Sequence, residues 1–489
     1  MKEEYKNSWY CTFVLNASIF PTAFMIAYSI ACLNPLVPVI HRIYNSTYEK
    51  QHADALPDDT WTLLLTLTMS MLMIGAFVGS MVFKILLSYL TRKQILIITH
   101  VCAGTGYLIV AVGTGKWGSY EAFIIGRFVT GLALGLGLSV TPLIFNESCV
   151  PHRRTFYSSV WGTALSSGVP IGIFFAWPKI FGTDERWLGV LIVCMFFSIV
   201  HIICSFWIVE TPLQAYILHG EGRALTVLRK LRCGTETDLD NELKDLVADG
   251  ASDDNASSVA TFKEVITTPQ YRRHFIGAVL AYSVIMASGV NNIFFYSDQI
   301  LSNAGLDSET VTPATLGIMV VGPITSVVLT VFVNRGAEPR MIMIVGCTIM
   351  IFGDAFITAC LATYEKVPAM STAAIAAVCV FYFGFAMINI IAYVMFGAIT
   401  IDRTRPVCIN VGAASLWFFA WLVGFIAPYF EIWIGPYGFL VWMVLTIFVL
   451  VYSIFFIPNV AGRTPDQIQA FYKTGLTTSA SSVPLDPEL

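Results

Sequence analysis

Charge is what this sequence has least of. Only 12% of its 489 residues are Asp, Glu, Lys or Arg, and 56% are hydrophobic, whereas soluble domains carry about 25% charge. None of the four charged types occurs between Trp61 and Phe83, between Phe275 and Ser297, or between Val367 and Ile401. A soluble chain of this length would need polar surface to cover its cores, and this one has too little. Zinc-type spacing is missing too. The 11 cysteines are spread singly, most of them in apolar segments (Cys102, Cys194, Cys204, Cys347, Cys360, Cys379), and read as buried apolar thiols. There is no HExxH and no GxSxG. Gly113-Thr114-Gly115-Lys116 is no P-loop, because it lacks the upstream glycine and the following Ser or Thr. An enzyme, a metal site and a bound cofactor are therefore not expected. The basic residues form no patch with interleaved aromatics, so nucleic acid is not an expected partner. Met1–Asn7 is short and charged, with no cleavage site after the first apolar run, so no removed signal peptide is expected.

What is present is a series of twelve apolar stretches, over 12–39, 61–83, 94–114, 120–143, 157–178, 187–209, 274–300, 311–333, 341–364, 367–401, 406–430 and 432–458. A bilayer core about 30 Å thick takes about 20 apolar residues of helix to cross. The fold class expected is an all-α polytopic membrane protein with twelve transmembrane helices in two six-helix halves. The divisions are an N-terminal half (1–210), a cytoplasmic linker with amphipathic helices (211–272), a C-terminal half (273–460) and a polar, disordered tail (461–489). The lipid bilayer is the first partner; oligomeric state is left open.

Lys84, Arg92, Lys93, Arg153, Arg154, Arg335, Arg340, Arg403 and Arg405 fall in the short loops of one side. Arg42, Lys50, Lys116, Lys179, Arg186 and Lys366 fall on the other. The bias, reinforced by the linker and termini, makes the first side cytoplasmic. Within the linker, Ala224, Leu225, Leu228 and Leu231 recur at helical spacing among Arg223, Arg229, Lys230 and Arg232, predicting a helix lying near the headgroups. Asp249–Ser258 reads as a flexible segment. Of the glycosylation sequons, only Asn45-Ser46-Thr47 falls in an outer loop; Asn16, Asn146 and Asn255 do not.

Polar residues inside apolar segments are costly and often functional. They are His100 in segment three, Arg127 in segment four, Asn291 and Asn292 in segment seven, and Asp354 in segment nine. The adjacent asparagines suit hydrogen bonding to a polar solute by one and to a neighbouring helix by the other. His100 reads as a packing residue and Asp354 as structural. Gly131, Gly135 and Gly137 have the spacing that lets helices approach closely.

Several motifs together resemble the facilitative hexose transporters, the sugar porter branch of the major facilitator superfamily. They are Gly126-Arg127-Phe128; Pro142 with Glu147 and Arg154; Val209-Glu210-Thr211-Pro212; and Ser288-Gly289-Val290-Asn291 running into Phe294-Phe295-Tyr296-Ser297. Gly435-Pro436-Tyr437, Ile457-Pro458 and Gly462-Arg463-Thr464 complete the order. The resemblance covers about residues 20 to 470. It implies two halves around a central cavity open to one side at a time. It implies an inner latch in which Glu147 and Arg154 pair, with Arg92, Lys93 and Glu210 beside them. In the second half the acidic gate position is Ala398, which leaves Asp402, near Arg405, as its replacement. It also places Tyr44-Asn45 where family members carry their outer-loop glycan, and so implies a plasma-membrane protein.

The cavity implied by the resemblance departs from the family. The paired glutamines of segment seven are Ile285 and Met286, the segment-five glutamine is Ser166, and the segment-eight asparagine is Gly322, followed by Pro323. Segment ten has Phe385, Asn389-Ile390-Ile391-Ala392 and Tyr393; segment eleven keeps Trp417 between Leu416 and Ala420. Asn291, Asn292, Ser166, Tyr393 and Trp417 are what the resemblance leaves to hold a solute. The position opposite Arg127 that is an Asp in proton-driven members is Ser29, which cannot carry a proton at accessible pH. Facilitated uniport of a small polar organic solute, a hexose the first candidate, is the leading expectation. The alternatives are a transport-inactive receptor or sensor and a carrier for a non-sugar solute.

Overall fold

The computed structural model describes residues 6–117, 119–150, 153–254, 261–399 and 404–459. In the first half α1 (Trp9–Ala31) leads through a 3₁₀ turn (Asn34–Leu36) into α2 (Val37–His52). After these come α3 (Asp58–Leu87), α4 (Arg92–Trp117), α5 (Tyr120–Ser148), α6 (Arg154–Ala176) and α7 (Leu188–Ser205). Three shorter helices, α8 (Pro212–His219), α9 (Glu221–Leu231) and α10 (Glu236–Asp254), form the linker. In the second half α11 (Phe262–Thr267) precedes α12 (Pro269–Ala287), α13 (Val290–Asn303), α14 (Ser308–Asn334), α15 (Pro339–Thr363), α16 (Ala369–Ile399), α17 (Arg405–Ile434) and α18 (Gly438–Phe456).

Short polar residues set where helices begin. Ser8 accepts from the Cys11 amide, Ser119 from Ala122 and Asp307 from Thr310, each meeting one of the donors a helix start leaves free. Eleven helical runs among the described residues are long and apolar enough to cross a bilayer. The last, Val411–Phe456, has 46 residues, about 69 Å as one helix against a core of about 30 Å. It doubles back at Gly435–Tyr437, where the Phe430 and Trp442 rings meet at 5.6 Å. It is therefore two crossings, and the twelve expected segments are present. The turn falls at Gly435, a few residues later than the sequence suggested. Large apolar side chains such as Ile192 (63% exposed), Phe352 (63%) and Phe448 (60%) point outward. That is tolerable in lipid and rare on soluble proteins.

The chain forms two compact units, Met1–Ser257 and Ser258–Leu489. In the first, α3, α4 and α5 pack closely because α5 is small-faced. A Cβ on Gly131 would lie 2.2 Å from the Leu72 carbonyl oxygen, and one on Gly135 2.1 Å from that of Ala76. The linker helices belong to this unit. Ala224, Val227, Leu228 and Leu231 of α9 are buried, and α9 contacts α1, α8 and α10. The apolar stripe expected to set this helix near the headgroups thus faces protein. A second difference is that α10 continues through Asp254, so the first part of the segment expected to be flexible is helical. Two short strands, β1 (Lys6–Asn7) and β2 (Arg232–Cys233), pair antiparallel and fasten the chain start to the linker. The tail from residue 460 lies outside the described residues.

Candidate substrate site and inner latch

In the second unit, segment seven is broken. Gly289 has φ +85°, which an L side chain rarely adopts, and a Cβ there would lie 2.6 Å from the Trp442 ring. α12 therefore stops at Ala287 and α13 starts at Val290, and such interrupted helices mark transporter binding sites. Asn291 lies in the first turn of α13, fully buried. Its Nδ2 donates to the Ala420 carbonyl of α17 at 2.8 Å, and its Oδ1 has no partner among the described residues. Five residues on, the Tyr296 hydroxyl donates to the Gly424 carbonyl at 3.1 Å, so α13 is tied to α17 twice. Below the break, Ser283 of α12 donates to Ser415 of α17 at 2.8 Å. Trp417 is buried on the same helix.

Aromatic side chains fill the neighbouring space. Phe294 meets Phe385 at 5.7 Å and Tyr382 at 6.0 Å, and Tyr382 stacks on Phe385 at 5.8 Å. The Tyr382 hydroxyl lies 2.7 Å from where a Cβ on Gly322 would stand. The small residue of α14 thus makes room for the phenol of α16. Asn292 lines a separate cavity of about 500 Å³ with Asn303, Glu431 and Trp442.

In the first unit Arg127 is buried. Its Nη1 donates to the Ser29 carbonyl at 2.7 Å and its Nε to the Thr68 carbonyl at 3.2 Å, while Nη2 has no partner. The Ser29 hydroxyl turns instead to Tyr107 and the Met25 carbonyl. Ser166 donates to the Gly162 carbonyl at 2.9 Å. His100 is in contact with a residue that sequence reasoning missed: its ring stacks on His201 at 4.1 Å, between α1, α4 and α7.

At the inner end of α5, Glu147 is held by two residues. Arg92 Nη2 donates to its Oε1 at 3.1 Å, the Thr211 hydroxyl donates to Oε2, and Arg92 reaches Gln214 as well. Arg92, not Arg154, is therefore the partner of Glu147, and the Arg154 Nε has no partner among the described residues. Lys93 donates to the Ile208 carbonyl at 2.8 Å, and Glu210 lies 4.0 Å from His219. A second buried pair was not read from the sequence. Arg232 meets both Glu242 oxygens at 2.6 and 2.9 Å, and its Nη1 donates to the Ser148 carbonyl at 2.6 Å. Ten residues separate the pair, beyond helical spacing, so no local pattern announces it.

The family model described as sugar (and other) transporter matches residues 15–472. The chain belongs to that family. Among curated relatives, mouse solute carrier family 2, facilitated glucose transporter member 9, is 25% identical over 476 residues, covering 95% of this chain and 86% of that protein. Mouse facilitated glucose transporter member 5 is 24% identical, covering 93% and 90%. Among solved structures, the major facilitator superfamily proton:xylose symporter XylE bound to 6-bromo-6-deoxy-D-glucose aligns with a TM-score of 0.75 at 15% identity, over 95% of this chain and 99% of that one. The inward open conformation of XylE from E. coli aligns at 0.76 with 16% identity, over 94% and 99%. The fold is that of the major facilitator superfamily.

For a sugar transporter family member, the polar groups near the break are few. Ile285 is fully buried and Met286 half-buried where the family's paired glutamines would stand. Leu416 and Ala420 are buried beside Trp417. The side chains of Tyr393, Ala398 and Arg405, and all of Asp402, lie outside the described residues.

Proposed function

We propose that this sugar transporter family member carries a sugar, a hexose the first candidate, across the membrane by alternating access as a facilitated uniporter. Asn291 carries the reading: a buried acceptor without a partner, at the break of a discontinuous helix, is what a solute hydroxyl would satisfy. Trp417, Ser166 and Tyr393 are proposed as further contacts, whereas Asn292, also expected to hold the solute, lines the separate cavity. The loss of glutamines and the Phe294–Tyr382–Phe385 cluster favour a less hydroxylated sugar or an altered pose. Arg127 supports uniport, because backbone carbonyls of α1 and α3 hold it where a proton-carrying acid would otherwise be needed. The Arg92–Glu147–Thr211 cluster, with Lys93, Glu210, Arg154 and Arg405, is proposed as the inner gate, its charge-assisted contacts forming in one state and breaking in the other.

We place both termini in the cytoplasm on the distribution of Lys and Arg, and propose the plasma membrane on the family resemblance. A glycan is proposed at Asn45. In the folded protein that residue lies on α2, with Nδ2 on Glu49 at 2.7 Å and Oδ1 accepting from the Leu56 amide at 2.9 Å. Modification would therefore precede folding. Counterflow in proteoliposomes with a panel of labelled hexoses, polyols, urate and small acids tests the function. Exchange of a hexose supports the proposal; binding without exchange overturns it in favour of a sensor.

A further inference from the structure

The cavity of about 500 Å³ in the C-terminal unit is built by the ends of α13, α15 and α17, the Gly435–Tyr437 turn and the start of α18. Its size and mixed lining are those of a small-molecule site. Its walls are aromatic: Trp442 and Phe430 face each other at 5.6 Å, and Tyr364 adds a third ring. Its charge is of one sign. Glu365 and Glu431 line it, no Lys, Arg or His does, and among the described residues neither carboxylate has a salt-bridge partner. Lys366, next in sequence to Glu365, is exposed and outside the lining. Asn303 donates to Glu431 and fixes that carboxylate at the wall.

A third acid lies underneath. Asp354 stands on α15 about two turns before the lining residue Leu361 and does not itself line the cavity. It is 1% exposed, and neither of its carboxylate oxygens has a partner among the described residues. Rings plus carboxylates without a fixed countercharge are the chemistry that recognises an ammonium group. We propose that this cavity is a binding site for an organic ammonium ion carrying an apolar group. By the Lys and Arg distribution it opens on the outer side. Because the Trp442 ring seats Gly289, an occupant also rests against the break in segment seven.

The test uses the purified full chain and needs no transport, so it stands or falls apart from the proposed function. Labelled benzyltrimethylammonium should bind saturably, and its neutral carbon isostere neopentylbenzene should not compete. Glu431→Gln keeps an acceptor for Asn303 and should weaken binding by about tenfold or more, with Glu365→Gln costing several-fold. Melting temperatures report that the variants remain folded, and the exposed Glu365 provides a variant with little structural risk. Absence of saturable binding, equal competition by the neutral isostere, displacement by D-glucose at equal potency, or full affinity in both glutamine variants overturns the proposal.

Discussion

Asn291 reaches α17 through its amide nitrogen, 2.8 Å from the Ala420 carbonyl oxygen, and leaves its amide oxygen buried without a partner. An orphaned buried acceptor costs about 1–3 kcal/mol, so the residue does more than join helices. Asn291→Ala should lower counterflow by about tenfold or more while the yield of folded protein in the membrane is kept. Asn291→Asp retains acceptor oxygens and loses the donor to Ala420, and should fall between. Wild-type kinetics in the alanine variant would remove Asn291 from the site.

The two positions that resemble the family's paired glutamines are not equivalent here. Met286 is half-buried and Ile285 fully buried. Met286→Gln should raise hexose affinity in a competition assay with little effect on melting temperature. Ile285→Gln buries an amide among apolar groups and should destabilise by about 1–3 kcal/mol unless the Ser283–Ser415 pair rearranges to meet it. If neither substitution changes affinity, the solute binds elsewhere or is not a sugar.

Arg127 holds the backbone of α1, at the Ser29 carbonyl, with no acid interposed. Uptake should therefore be flat between about pH 5.5 and 8 and unaffected by protonophores. External alkalinisation on adding substrate would overturn uniport.

The Arg92–Glu147 pair is nearly buried, with side-chain exposures of 11% and 7%. Removing one member strands the other's charge, at about 3 kcal/mol. Arg92→Ala and Glu147→Ala should each lower the melting temperature, and the double variant should lose less than the sum. Arg154→Ala should be milder and additive with either, since Arg154 does not pair with Glu147. An additive cycle for Arg92 and Glu147 would mean that the contact carries no coupling.

Much of this architecture could be read from sequence, because lipid imposes one rule on each crossing: about 20 apolar residues without charge. That rule found the twelve segments, but it read segment seven as one continuous helix, and the break at Gly289 came only with the structure. What it could not find depends on contacts between distant segments. His201 was invisible as the companion of His100 because 101 positions separate them, and only the packing of α4 on α7 brings their rings together. Glu147 was matched to Arg154 by the family resemblance, whereas the fold supplies Arg92 from the start of α4. The apolar stripe of α9 looked like a lipid-facing surface because periodicity tells which residues are buried, not against what.

The linker carries one buried and one exposed ion pair, and salt and acid should separate them. Arg232–Glu242 is sunk in the N-terminal unit, whereas Arg229–Glu236 lies in solvent at 2.9 Å. At about 1 M salt the exposed pair is screened and the buried one is not. Hydrogen bonds from Arg229 hold the Glu236 carboxyl below its usual range. Its small contribution is therefore present above the ordinary carboxylate pKa and lost as pH falls through the lower folded value. Limited proteolysis of the linker should be unchanged by salt in the wild type, and Arg229→Ala should leave it nearly so. Glu242→Gln should open the linker to cleavage at all salt concentrations, because it strands Arg232 and frees the strand that pairs with Lys6–Asn7. Equal protection in Glu242→Gln and wild type would show that the apolar stripe of α9 alone docks the linker.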